Sequence, residues 1–333
     1  MTRHPSSYRS PWWLRGGNAQ TLYAALALRG SRVRYRRERW STPDGDFVLA
    51  DWVDGPATAP LVALFHGLEG SSSSHYARAL MSAVRARGWR GVVPHYRGCG
   101  GEPNDLPRAY HSGDSREIDW MLRRLRSVAG SAELFAVGVS LGGNALLKWL
   151  GEEGEAAREV LRAAAAVSAP VDLTAAGDAL GRGFNLVYAR HFLGSLKRKT
   201  AAKLVRFPGC VDGAAAARAR TLREFDDAVT APLHGFRDAS DYWLRSSAKP
   251  LMSSVRVPTL VINARDDPFL PGEYLPSPRE VSTQVELEFP AGGGHVGFVT
   301  GPFPGRIRWL PARVLGFFEA ALASQPEEPD GPK

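Results

Sequence analysis

The chain is punctuated by short, nearly continuous apolar runs. Residues 61–65 (Leu-Val-Ala-Leu-Phe), 91–94, 134–139, 163–167 and 259–263 have this form, which predicts strands buried on both faces of a parallel sheet. Amphipathic stretches lie between them. They predict helices over residues 75–87, 114–128 (with Asp114 or Ser112 as its cap) and 141–150, and a closing helix over 309–323. Upstream, residues 33–40 and 47–53 are β-like and flank Thr42-Pro-Asp-Gly-Asp, a turn sequence, so the chain is expected to open with a hairpin. Residues 285–289 alternate as an edge strand would.

Strands alternating with helices imply an α/β protein, with a mostly parallel central sheet and helices on both faces. Residues 170–250 break that rhythm, with helix-like pieces and no buried strand, and predict an inserted helical cap over the C-terminal edge of the sheet. The expected division is an N-terminal segment 1–30, a core formed by 31–169 and 251–324, the insertion 170–250, and a disordered Pro/Glu-rich tail 325–333.

Composition adds limits. A chain of 333 residues, 44% hydrophobic and 23% charged, can bury a large core without staples. Its two cysteines, Cys99 and Cys210, are too few for a disulfide framework and point to a reducing compartment. The N-terminus has no signal-like apolar run, and no stretch reaches the roughly 20 apolar residues of a membrane span. A cytoplasmic protein without an integral membrane segment is expected. The net charge of +8 comes from basic residues spread from Arg9 to Arg313 with no nucleic-acid motif beside them. A solvated basic face is expected, with at most weak peripheral attraction to anionic surfaces, and no nucleic acid as partner. Nothing in the sequence fixes an oligomeric state.

The chemistry concentrates at a few places. Gly138-Val-Ser-Leu-Gly142 follows one predicted strand directly and opens a predicted helix. A G-x-S-x-G sequence in that setting is a nucleophile elbow, a turn so sharp that the serine sits in strained backbone with its hydroxyl above the sheet. Ser140 is the expected nucleophile, and the N-terminus of the new helix favours an oxyanion. The base is sought downstream. His295 lies in Ala291-Gly-Gly-Gly-His, a glycine-rich loop that lets an imidazole reach back over the sheet, a setting that His191 and His234 in the insertion lack. The acid should follow residues 259–263, where Asp266 and Asp267 precede Pro-Phe-Leu-Pro. Asp267 is favoured, because hydrolases with this elbow commonly carry the acid just before such a stretch, and Asp266 stays open. The backbone amides of Leu141 and of Leu68, in His66-Gly-Leu-Glu-Gly70, are the expected oxyanion donors. Phe184, Phe192 and Phe298 are the expected apolar pocket. No metal or organic cofactor is required.

Longer stretches carry a resemblance. Phe65-His-Gly-Leu-Glu-Gly-Ser, His95-Tyr-Arg-Gly-Cys-Gly-Gly, Tyr110-His-Ser-Gly, Gly138-Val-Ser-Leu-Gly-Gly-Asn, Phe225-Asp-Asp-Ala-Val-Thr-Ala-Pro-Leu-His-Gly-Phe and Asn263-Ala-Arg-Asp-Asp-Pro-Phe span nearly the whole chain. In these the sequence resembles the YheT-type branch of the α/β hydrolases, esterase- or lipase-like proteins. The resemblance implies the α/β-hydrolase fold, a triad of Ser140, one aspartate of the 266–267 pair and His295, and short- to medium-chain acyl esters or lipids as substrates. It also implies that Cys99 is no nucleophile. One stretch departs: the family's N-terminal Asn-Pro-His-Leu-Gln-Thr reads Gly17-Asn-Ala-Gln-Thr here, which leaves that segment without its histidine and with a weaker functional claim. The expected activity is hydrolysis of carboxylic esters. Acyl transfer by the same triad, or a non-catalytic binding protein on the same fold, are the alternatives.

Overall fold

The computed structural model describes residues 6–28, 30 and 32–324. The expected tail 325–333 and residues 1–5 of the N-terminal segment lie outside the described residues. Helix α1 (Gly17–Leu26) precedes the hairpin of β1 (Arg36–Ser41) and β2 (Phe47–Val53), whose start is three residues later than the apolar pattern proposed. Then β3 (Leu61–Phe65), α2 (His75–Ala86), β4 (Arg90–Pro94), α3 (Ser115–Ala129), β5 (Leu134–Val139), α4 (Leu141–Glu153) and β6 (Ala163–Val167) alternate as expected. Between β6 and β7 (Thr259–Ile262) the described chain forms only helices: α5 (Leu173–Leu180), α6 (Leu186–Arg206), α7 (Gly213–Arg218), α8 (Leu222–Phe225), a π-turn at Asp226–Thr230, α9 (Ala231–Leu233) and α10 (Ala239–Ser246), with short 3-10 turns at Gly183–Asn185 and Lys249–Ser254. The chain closes with β8 (Val285–Glu288) and α11 (Trp309–Ala323).

The eight strands form one sheet in the order β1-β2-β4-β3-β5-β6-β7-β8. Within this sheet β1 pairs with β2 and β2 with β4 antiparallel and the other neighbours are parallel, so β2 runs against the rest. Successive side chains of a strand point to opposite faces, and the core divides accordingly. Leu61, Ala63 and Phe65 of β3 pack with Ile118, Met121 and Leu146 of α3 and α4, while Val62 and Leu64 pack with Leu80, Met81, Leu315 and Phe318 of α2 and α11. All these residues are buried, which is why β3 reads as an unbroken apolar run rather than an alternation.

Two polar links fix the insertion and the loops to this frame. Asn144 in α4 donates to the carbonyls of Ser112 and Ser246, each at 2.8 Å, and accepts from Ala248 N–H at 2.9 Å, so three segments distant in sequence meet on one buried amide. Arg97, also buried, holds Glu117, Asp44 and Asp46 at 2.9 to 3.0 Å.

Candidate active site

The parallel strands all end on the same side of the sheet, and the loops leaving them bring the expected site residues together. Ser140 follows β5 in the centre. Its φ of 53° and ψ of −122° lie outside the helical region, and its N–H donates to Val167 O at 2.8 Å. A non-glycine residue held there is strained by about 1–3 kcal/mol. The glycines either side permit the turn: a Cβ on Gly138 or Gly142 would lie 2.4 Å from a backbone carbonyl oxygen.

His295 Nδ1 donates to the Asp267 carboxylate, at 2.9 Å to Oδ2 and 3.1 Å to Oδ1. That fixes the tautomer in which Nε2 is free to accept, and Ser140 Oγ lies 2.8 Å from it. Asp267 is held in turn by the Phe269 N–H, which donates to Oδ1 at 2.8 Å. Asp266 points elsewhere: its Oδ1 accepts from Gly294 N–H at 2.9 Å, and burial raises its carboxyl above the usual range. Phe269, two residues past Asp267, stacks on the imidazole with ring centroids 3.9 Å apart.

Leu68 and Leu141 line the same cavity as Ser140. The amide of Leu141 opens α4, where helix geometry leaves an N–H without an intrahelical acceptor. The Leu68 loop is clamped at Glu69, a residue with φ of 54°. Its N–H donates to Tyr110 Oη at 2.9 Å, and its carboxylate accepts from Tyr110 at 2.8 Å, Lys199 at 2.8 Å and the Ser195 hydroxyl. His66 is the loop's organiser. It donates from Nδ1 to Gly67 O at 2.8 Å and accepts at Nε2 from Tyr96 N–H, and burial holds it neutral by pushing its pKa down to about 3. Cys99 sits in the same cluster with its thiol pushed up to about 11 by burial, far from a nucleophile's condition.

The cavity beside Ser140, of about 120 Å³, is walled mainly by apolar residues of the insertion, among them Leu173, Leu180, Phe192, Leu196 and Leu222, together with Phe269. Of the three phenylalanines expected to form it, Phe192 does. Phe184 does not: it sits in the middle of a short 3-10 turn and is 53% exposed. Phe298 does not either. It follows His295 closely in sequence, but its φ of 41° turns the ring into the core against Tyr8 and Trp309, at 5.3 and 5.5 Å between centroids. Asp226, unexpected from sequence, adds a carboxyl to the wall. Burial pushes it up to about 6, against hydrogen bonds from Thr230 (2.6 Å) and Trp243 (2.8 Å).

The N-terminal segment, expected to matter little, carries the histidine loop. Thr21 Oγ1 accepts from His295 N–H at 2.8 Å. Gln20, fully buried, accepts from Val299 N–H and donates to Leu14 O, both at 2.9 Å. The close approach needs a glycine, since a Cβ on Gly294 would lie 2.3 Å from Gly17 O. From the other side Ser168 Oγ accepts from Val296 N–H at 3.1 Å, and His75 Nε2 donates to Val296 O at 3.1 Å. Gln20 and Thr21 survive from the departed N-terminal motif, which was the available signal. No cluster of three or more His, Cys, Asp or Glu residues suited to a metal occurs among the described residues, and none of their helices is long and apolar enough to cross a membrane.

Comparison with known proteins agrees with this fold. Residues 60–302 match the family described as alpha/beta hydrolase fold. The chain is 43% identical to Putative esterase YheT of Escherichia coli (strain K12), over 92% of this chain and 91% of that protein. It is 29% identical to human Phospholipase ABHD3, over 97% of this chain and 80% of that one. Among solved structures, the Pyrococcus furiosus esterase Pf2001 superposes with a TM-score of 0.56 at 16% identity, covering 88% of this chain and 97% of that chain, a likeness of fold.

Proposed function

The chain belongs to the α/β-hydrolase family, and from that premise we propose that it is a serine esterase, cleaving short- to medium-chain acyl esters or lipids through an acyl-enzyme on Ser140. The observation that carries this reading is the unbroken chain of hydrogen bonds from Ser140 Oγ through His295 to Asp267, at 2.8 and 2.9 Å. The names of relatives, an esterase and a phospholipase, support ester hydrolysis as the reaction class.

In the proposed reaction His295 Nε2 takes the hydroxyl proton as Ser140 attacks the ester carbonyl, and Asp267 stabilises the imidazolium. The Leu68 and Leu141 amides bind the oxyanion of the tetrahedral intermediate. Collapse releases the alcohol with the proton from His295, and water activated by the same imidazole frees the acid. The helical insertion, read as a cap, supplies the acyl pocket. A fluorophosphonate probe should label the native protein at Ser140 stoichiometrically. Absence of labelling would leave only the binding-protein reading, and ester products formed with added alcohols would indicate transfer instead of hydrolysis.

Two further outcomes are expected. Phe192→Ala, which removes a ring from the cavity wall, should shift the preferred acyl length more than it lowers turnover of the best substrate. An unchanged length profile with lower thermal stability alone would make Phe192 a packing residue. Gln20→Ala leaves the Leu14 carbonyl and the Val299 amide unsatisfied in a buried place, a cost of about 1–3 kcal/mol. It should also loosen the histidine loop, lowering kcat roughly ten- to a hundredfold with little change in KM. Steady-state kinetics on a soluble activated ester, alongside thermal melts, separate the two effects.

A further inference from the structure

Helix α1 contains no charged residue. Gln20, Thr21 and Ala24 face the protein, and the opposite arc carries Ala19, Leu22, Tyr23, Ala25 and Leu26 together with Asn18, whose amide oxygen accepts from the Tyr188 hydroxyl at 2.8 Å. At 3.6 residues per turn Leu22 and Leu26 share a line and Tyr23 lies beside it, so the solvent side is uncharged and mainly apolar where a surface helix ordinarily carries charge. The arc continues on both flanks. On one, Tyr23 meets Trp13 and Trp13 meets Phe303, at 5.2 and 5.4 Å between ring centroids. On the other, Leu22 and Phe192 both pack against the cluster of Leu180, Tyr188 and Phe269, next to Phe184 and Val187. Trp12 and Leu26 are each 80% exposed and Phe303 73%. Scattered exposed apolar residues need no explanation, but a contiguous row of them does.

Within the segments that form this face the charges are all of one sign, with Asp266, packed against Gly17 at the start of α1, an acidic group at its edge. Residues 6–28, 182–192 and 296–308 contain no Asp or Glu, in a chain with 34 of them, and contribute Arg9, Arg15, Arg182, Arg190, Arg306 and Arg308, all exposed. Arg182 lies 3.7 Å from Asp178. The other five have no carboxylate partner among the described residues. A second copy of the chain would bring this arginine rim against itself in a two-fold contact, which disfavours a homodimer here. Tryptophan, tyrosine and leucine set among arginines is the composition of an interfacial anchor.

We propose that this face docks on an anionic lipid bilayer, with Trp12, Leu26 and Phe303 entering the headgroup region and the arginines meeting anionic lipid headgroups. The docking stands apart from the catalytic reading. What rests on that reading is its use: Leu22 and Phe192 join the face to the cavity beside Ser140, so docking would bring the acyl pocket to the layer that holds lipid esters.

The test is co-sedimentation of the full chain with vesicles of phosphatidylcholine alone and of phosphatidylcholine mixed with phosphatidylglycerol. Binding to the mixed vesicles is expected, much weaker binding to the neutral ones, and a steep fall with added salt. Arg9→Gln/Arg15→Gln/Arg306→Gln should weaken binding on the order of a hundredfold, and Trp12→Ser/Leu26→Ser/Phe303→Ser by at least about tenfold. Both variants should hydrolyse a soluble activated ester at the native rate, which also reports their folding. No binding to anionic vesicles, binding equal in native and variant proteins, or a dimer disrupted by the apolar triple substitution would overturn the proposal. If the native protein bound vesicles but cleaved no ester, the hydrolase reading would fail and the docking would stand.

Discussion

Ser140→Ala is expected to reduce turnover of an activated ester by about 10⁶-fold, the scale on which loss of a triad nucleophile acts, while leaving the protein folded. Folding should survive because the hydroxyl's one hydrogen bond among the described residues is to His295 Nε2, and the elbow is held instead by backbone: Ser140 N–H to Val167 O, and Gly143 and Asn144 N–H to Ser140 O. Alanine keeps all three. The imidazole retains Asp267 and the stacked Phe269, so the rest of the site should not move. Steady-state rates with circular dichroism and thermal melts on the same samples provide the check. Residual activity above roughly a hundredth of native would mean that the serine is not the nucleophile.

The second large effect separates two neighbouring carboxylates. Asp267→Asn should lower kcat by about 10⁴, because an amide can donate as well as accept and so can hold the imidazole in the tautomer whose Nε2 bears the proton. That tautomer has no lone pair for the Ser140 hydroxyl. Asp266→Asn should cost less than about tenfold, since an amide oxygen can still accept from Gly294 N–H as Asp266 Oδ1 does now. Measured side by side on one ester, a dead Asp266→Asn with a nearly normal Asp267→Asn would reverse the assignment, and two active variants would sink the triad.

The central strands were legible because strands covered on both faces leave short, continuous apolar runs. Residues 61–65, 134–139 and 163–167 coincide with observed strands end for end. Ala163–Val167 shows how little propensity mattered: four alanines favour helix in isolation, yet their place between β5 and β7 makes a strand. The elbow at Ser140 was readable because it is encoded locally, in a turn that needs two glycines. The two aspartates were not separable by pattern, since adjacent residues differ only in direction. Gln20, Thr21, Glu69 and Lys199 went unread for a different reason. Glu69 meets Lys199, Thr21 meets His295 and Gln20 meets Val299 across 130, 274 and 279 residues of chain, distances over which one sequence carries no pairing signal. Phe298 is the reverse case, near His295 in sequence but turned into the core by a single left-handed backbone angle.

The suspension of the histidine loop from α1 bears on how the protein would wear out. Val296 and Phe298 hold left-handed backbone that neither residue prefers, with φ of 57° and 41°. That loop is gripped by a ten-residue helix of which only three residues are buried. Such a helix belongs to the part of a fold that opens first. When it lifts, His295 loses the Thr21 oxygen on its amide and the loop can relax, while the eight-stranded sheet beneath stays intact. Heat should therefore silence the molecule before it melts, and the temperature at which activity disappears would report the hold of some thirty N-terminal residues rather than the strength of the core.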